Sequence, residues 1–237
     1  MNVVAIGAHP DDIELGCGAT LVAHRARGDT VTMLVMTTGE RGPQDARPRI
    51  AEQEDAAALL GATLLWGGFD DGAVPEGRAS VDVIQRVLRQ VDADVVYAHS
   101  PRDSHQDHRA TAVATLAACR RLSRVLLYES PTTQAFSPSV FIDVTNLVEE
   151  KVDLIRAHVS QVLKNGLVDL EAIEAQARYR GFQARIRHAE AFETDRFVWD
   201  IVTRSAAPLP ERGLELTPPP GTPVASSPMS LLLEEVG

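Results

Sequence analysis

The chain has 237 residues, 44% of them hydrophobic, enough to fill the core of one large α/β domain without disulfides. Asp and Glu number 33 against 23 Lys and Arg, a net charge of −10. That balance argues against nucleic acid or an anionic membrane surface as a partner, and no apolar run approaches the ~20 residues of a membrane span.

Short β-branched runs alternate with helical patterns through the first half. Val3–Ile6 reads as a strand, Ile13–Arg27 as a helix, Thr30–Thr37 as a second strand and Arg49–Leu60 as a second helix. Thr63–Trp66, Val81–Val91, Asp94–Ala98, His108–Leu122 and Arg124–Tyr128 continue the alternation, ending on a fifth strand. Strands that are apolar on both faces and separated by helices predict a mostly parallel sheet covered on both sides, a Rossmann-like three-layer α/β sandwich. Beyond Glu129 the rhythm changes. Ser130–Pro138 reads as a loop, Val140–Val144 as a strand, and Thr145 as the N-cap of a helix reaching about Lys164. A further helix over Leu170–Phe192 and a last strand over Arg196–Val202 complete a domain spanning 1–204. Residues 205–237 carry seven prolines among Gly and Ser and read as an extended tail. No basic leader or cleavage site precedes the first strand, and Cys17 and Cys119 share no CxxC spacing. The expectation is a cytoplasmic protein with two buried free thiols.

Two polar clusters follow predicted strands: Ala8-His9-Pro10-Asp11-Asp12 after the first, and His105-Gln106-Asp107-His108 a short loop after the fourth. In a sheet of order 3-2-1-4-5 these strands are neighbours, and ligands bind at the carboxyl ends where their connections diverge. Two imidazoles and a carboxylate leaving one open position make a standard catalytic zinc site, and His9, Asp12 and His108 supply that set. Asp11 and His105 remain as a base and a group to stabilise a tetrahedral intermediate, and Asp107 suits a carboxylate that holds His105 in one tautomer. Each cluster alone has a plainer reading. His-Pro-Asp-Asp forms turns, Asp12 can cap the following helix, and a His-x-Asp-His segment at a helix start is often a cap beside a surface histidine. Their convergence on one sheet edge favours the metal. Gly16 and Gly18 lack the third glycine and the position of a dinucleotide fingerprint, so a nicotinamide or flavin domain fits poorly.

The run Ala8-His9-Pro10-Asp11-Asp12-Ile13-Glu14-Leu15-Gly16-Cys17-Gly18 together with His105-Gln106-Asp107-His108 resembles the two signatures of the PIG-L family, the LmbE-like deacetylases. The likeness continues through Thr38-Gly39-Glu40, Arg49-Ile50-Ala51-Glu52, Leu60-Gly61, Phe141-Ile142-Asp143-Val144, His158-Val159-Ser160-Gln161 and Ala189-Glu190-Ala191-Phe192. The family often has proline where Gln106 stands. The resemblance implies a zinc-dependent hydrolase that removes the acetyl group from an N-acetylated amino sugar or sugar conjugate. In it His9, Asp12 and His108 are the ligands, Asp11 the general base, His105 the group meeting the oxyanion, and Asp107 its partner. It also implies Arg49 as a sugar-binding arginine and Asp71 as a hydroxyl-binding aspartate, against an Arg49–Glu52 surface pair and a turn residue before Gly72. Two His and one Asp also suit Fe(II), so the native metal stays open between zinc and ferrous iron. Family members often assemble, and whether this chain forms a homo-oligomer is left open. The alternatives are a deacylase of a non-sugar N-acyl substrate and a non-catalytic Rossmann-like binding protein. His158 is left without a role.

Overall fold

A computed structural model describes residues 1–41, 46–164 and 168–199. One compact unit runs from Met1 to Val198. The expected tail lies outside the described residues.

The elements are β1 (Asn2–Gly7), α1 (Asp12–Ala26), β2 (Thr30–Val35), α2 (Ala46–Leu60), β3 (Thr63–Trp66), α3 (Arg78–Val91), β4 (Val95–His99), α4 (Gln106–Ala118), β5 (Arg124–Tyr128), β6 (Val140–Asp143), α5 (Val148–Arg156), a π-helical turn (Ser160–Lys164), α6 (Leu170–Ala184) and β7 (Ala189–Phe197). The sheet has seven strands in the order β3-β2-β1-β4-β5-β7-β6. The first five are parallel, and β7 runs antiparallel to both β5 and β6. This is the expected α/β sandwich, with β1 and β4 adjacent.

Alternate side chains of the strands feed two cores, as the two-residue period of a strand requires. Val3, Ala5, Val31 and Met33 pack with Ile13 and Leu21 of α1, Leu60 of α2 and Leu154 of α5. Val4, Ile6, Leu34 and Val96 pack with Ile84 and Leu88 of α3 and Ala110 and Ala114 of α4 on the other face. Cys17 and Cys119 are buried free thiols. Among the described residues no helix is long and apolar enough to cross a membrane.

Three expectations in the second half are corrected. Thr145 is not an N-cap. Its Oγ1 accepts from His188 N at 3.3 Å while Asp143 accepts from Thr145 N, and α5 begins only at Val148. The helix expected to reach Lys164 ends at Arg156, and a π-helical turn follows at Ser160. The helix expected to reach Phe192 stops at Ala184, where Arg185 turns left-handed at φ 64°. Ala189–Phe192 then begins β7 rather than continuing that helix, and this strand ends at Phe197.

Helix α1 is broken at Cys17, whose φ of −147° and ψ of 20° are not helical. The break lies beside Gly16, where a Cβ would stand 2.2–2.6 Å from atoms of the Tyr128 ring. Tyr128 is fully buried, and its hydroxyl donates to Ile6 O at 2.8 Å, so the ring has nowhere to retreat. We expect Gly16→Ala to cost about 3 kcal/mol by overpacking, read as a lower urea midpoint, with Tyr128→Leu recovering part of the loss. An unchanged midpoint would refute the clash.

Candidate active site

The carboxyl ends of β1 and β4 carry both polar clusters. Beyond Gly7 the chain turns through His9 and Pro10 into Asp11, which occupies the left-handed region at φ 86°, ψ −23°. That conformation costs a non-glycine residue about 1–3 kcal/mol and persists only where its surroundings hold it. Asp11 stands at the N-cap of α1, yet its side chain makes no capping bond. Arg49 Nη2 lies 3.7 Å from its Oδ2.

Asp12 is buried at the centre. Its Oδ2 accepts from Ala8 N at 3.0 Å and His9 N at 2.7 Å, and has His99 Nε2 at 3.1 Å. His9 Nδ1 lies 3.4 Å from Oδ2, and His108 Nε2 lies 3.4 Å from Oδ1. The rings of His9 and His108 stand 5.3 Å apart, centre to centre. Ligand atoms sharing a tetrahedral zinc at ~2.0 Å sit about 3.3 Å apart, a spacing that His9 matches against Oδ2 and His108 against Oδ1 of the same carboxylate. Three overlapping groups bring their ligand atoms within 4.8 Å of one another: His9, His105 and His108; Asp12, His99 and His108; and His9, Asp71 and Asp107. The expected trio of His9, Asp12 and His108 is not itself one of these groups: His9 and His108 fall in the first and Asp12 and His108 in the second.

Charge points the same way. Burial alone would lower His9, but Asp107, Asp12 and Asp71 outweigh it and push it up to about 11. Burial would raise Asp12, but His108 and His99 hold its carboxyl well below the ordinary range. Against burial, hydrogen bonds from His108 and Ser130 likewise keep Asp103 low. A buried pocket that stabilises positive charge this strongly fits a divalent cation, and the donor set fits zinc or ferrous iron.

Sequence reasoning overlooked two residues here. Asp103 Oδ2 faces His108 Nδ1 at 3.2 Å and takes Ser130 Oγ at 2.6 Å. A carboxylate on one imidazole nitrogen leaves the other for a metal. His99, the last residue of β4, stacks on His108 at 4.0 Å. Burial first and then His108 push it down to about 4, so it is neutral against Asp12. Both residues precede the second cluster, and the carboxylate two places before His105 was a usable signal.

Asp107 departs from its expected place. Its carboxylate does not hold His105. Oδ2 takes Gly72 N at 2.6 Å and His9 Nε2 at 3.2 Å, and Oδ1 takes Val74 N at 3.2 Å. The first turn of α4 aims the side chain at the loop after β3, while the Asp107 backbone N–H donates to His105 Nδ1 at 3.2 Å. Burial, His108 and His9 lower His105, leaving it neutral. Asp71 is also buried rather than open to a hydroxyl group. Its Oδ1 lies 3.1 Å from His9 Nε2 and its Oδ2 takes Arg41 N at 3.0 Å, and His9 is the main cause of its low value of about 2.

Arg49 is buried and is not the surface partner of Glu52. It donates to Pro10 O at 2.8 Å and to Gly39 O at 3.4 Å. A Cβ on Gly39, which sits at φ 69°, would come within 2.4 Å of the guanidinium. Glu52 instead takes the amide and hydroxyl of Ser160, both at 2.7 Å. His158 is fully buried with Nε2 3.4 Å from Glu14 Oε1.

A parallel sheet with a buried His/Asp cluster at the carboxyl ends of β1 and β4 defines a Rossmann-like protein with a candidate divalent-metal centre. Residues 4–119 match the family model described as PIG-L, GlcNAc-PI de-N-acetylase. The uncharacterized deacetylase YaiS of Escherichia coli (strain K12) is 37% identical over 151 residues, 60% of this chain and 82% of that protein. Among solved structures, the conserved protein TT1542 from Thermus thermophilus is 28% identical with a TM-score of 0.76, covering 87% of this chain and 100% of that one. The N,N′-diacetylchitobiose deacetylase of Pyrococcus horikoshii is 27% identical with a TM-score of 0.73, covering 81% of this chain and 82% of that one. The chain belongs to the PIG-L family of deacetylases.

Proposed function

We propose that the protein is a zinc-dependent deacetylase that hydrolyses the acetamide of an N-acetylated amino sugar or sugar conjugate. The observation that carries this reading is the buried His9–Asp12–His108 cluster, with the carboxylate of Asp11 beside it uncommitted to any cap. The sugar class is supported by the substrate named for the Pyrococcus horikoshii protein. His9, Asp12 and His108 would hold the zinc, which would supply Lewis acidity to a water and to the amide carbonyl. Asp11 accepts the proton of the attacking water. Burial and the neighbouring Asp12 push its carboxyl up to about 6, a range that suits both taking and returning a proton. His105 Nδ1 is occupied by the Asp107 N–H, so the neutral ring carries its proton on Nε2. That N–H donates to the oxygen on which negative charge collects. The carbon–nitrogen bond then breaks, and the proton held by Asp11 leaves with the nitrogen to give acetate and a free amine. Asp71 and Asp107 hold His9 Nε2, and Asp103 holds His108 Nδ1, so both rings keep their other nitrogens for the metal. Two buried free cysteines suit a reducing cytoplasm.

The test is release of acetate and free amine from N-acetylglucosamine, N,N′-diacetylchitobiose and N-acetylglucosamine conjugates, run with zinc and with ferrous iron. N-Acetyl amino acids serve as the non-sugar arm. Turnover of the amino acids alone would move the substrate class. Protein that retains no transition metal after careful preparation would leave a binding protein. Within this reading, Asp11→Asn keeps its metal and loses about 100-fold or more in kcat, the scale of a lost general base. A near-normal rate would overturn the base assignment.

A further inference from the structure

We propose that Gln53, with Arg49, clamps the Pro10–Asp11 peptide plane and so aims the Asp11 carboxylate, making Gln53 a positioning residue for the base. This rests on the reading of Asp11 as that base.

A peptide unit offers one acceptor and one donor, and here each has a side-chain partner from α2. Pro10 O takes Arg49 Nη2 at 2.8 Å, and Asp11 N–H donates to Gln53 Oε1 at 3.2 Å. Arg49 and Gln53 are four residues apart, hence neighbours on one face of that helix. The plane they grip leads into the strained residue, Asp11 at φ 86°. Relaxing that angle requires rotating the plane, which would break both contacts together.

The amide of Gln53 is held in one orientation. Its Nε2 donates to Glu14 Oε1 at 2.6 Å. A carboxylate only accepts, so the NH₂ end must face Glu14 and the oxygen must face Asp11. Behind Glu14 stands the imidazole of His158. Gln53, Glu14 and His158 are each at most 1% exposed, and burying such groups costs free energy that an apolar filling of the same space avoids. Their contacts converge on one N–H, that of Asp11.

The experiment uses the full-length, zinc-loaded protein. Gln53→Met keeps the side-chain length and removes the acceptor. On any sugar turned over by the wild type, kcat is expected to fall about 10- to 100-fold with KM within about twofold, the pattern of a loss confined to the transition state. Zinc content stays at the wild-type value. In an Asp11→Asn background the same change costs less than about threefold, since the two residues act as a unit. Amide exchange reads the contact without any substrate. The Asp11 amide is protected in the wild type, and exchanges faster in Gln53→Met. A wild-type kcat in Gln53→Met, full additivity with Asp11→Asn, loss of zinc, or an Asp11 amide unprotected in the wild type overturns the clamp. The last of these needs no folded variant. A fast Asp11→Asn enzyme would instead overturn the base assignment itself.

Discussion

Asp12→Ala is expected to abolish stoichiometric metal binding and deacetylation and to leave a folded but weakened protein. Three consequences of the one substitution can be separated. The carboxylate that bridges His9 and His108 disappears, so the remaining imidazoles lose a charged ligand. The drop in metal affinity should exceed the roughly 10- to 100-fold that follows loss of an outer hydrogen-bond partner. His9 N, at 2.7 Å from Oδ2, becomes a buried donor without an acceptor, whereas Ala8 N loses its 3.0 Å bond to Oδ2 but keeps His99 Nε2 at 3.2 Å. One unsatisfied buried donor predicts a loss of about 1–3 kcal/mol. His99 loses its 3.1 Å carboxylate partner as well. Metal content after dialysis, with denaturant midpoints of the metal-free proteins, reads the effects separately. Wild-type metal stoichiometry and affinity in Asp12→Ala would remove the centre from its proposed place.

The first half of the fold was legible because its strands are short, mostly apolar runs that alternate regularly with helices. The convergence of His9 and His108 followed from strand order alone. What escaped notice depends on contacts between loops. Asp103 reaches His108 because the loop after β5 lies along the loop after β4, joined by Ser104 N to Thr132 O at 3.1 Å and Gln134 N to Arg102 O at 2.9 Å. No local pattern announces that pairing. Asp107 was assigned to His105 by adjacency, but the first turn of a helix projects its side chain away from the N-cap ring and towards the backbone of Gly72. Ala189-Glu190-Ala191-Phe192 was read as helix because alanine and glutamate favour it. Strand β6 offered that segment a ladder from Val140 to Asp143, with Phe192 also meeting Tyr128 of β5, and pairing overrode propensity.

Glu190 in that misread strand leads to the second large effect, a marked loss of stability in Lys151→Met. At the break in α1, the two ends of the bond that a continuous helix would close between Leu15 O and Ala19 N each have a side-chain partner. Leu15 O takes Lys151 Nζ at 2.7 Å, and Ala19 N and Thr20 N donate to the Glu190 carboxylate at 3.1 and 2.7 Å. Lys151 and Glu190 are themselves 2.6 Å apart and almost fully buried. The pair caps both halves of the helix, and its charges match the dipoles, cation on carbonyl and anion on amide. Removing the cation alone leaves a buried carboxylate unpaired, at a cost of about 3–5 kcal/mol. Because the first half of α1 carries Asp12, the damage should reach the metal centre as weaker metal binding. Lys151→Met with Glu190→Gln removes both charges, keeps an acceptor for the two amides, and should recover at least about 1.5 kcal/mol relative to the sum of the single variants. Additive single effects would show that the two side chains stabilise the break independently, and a wild-type denaturation midpoint in Lys151→Met would show that the break needs no ion pair.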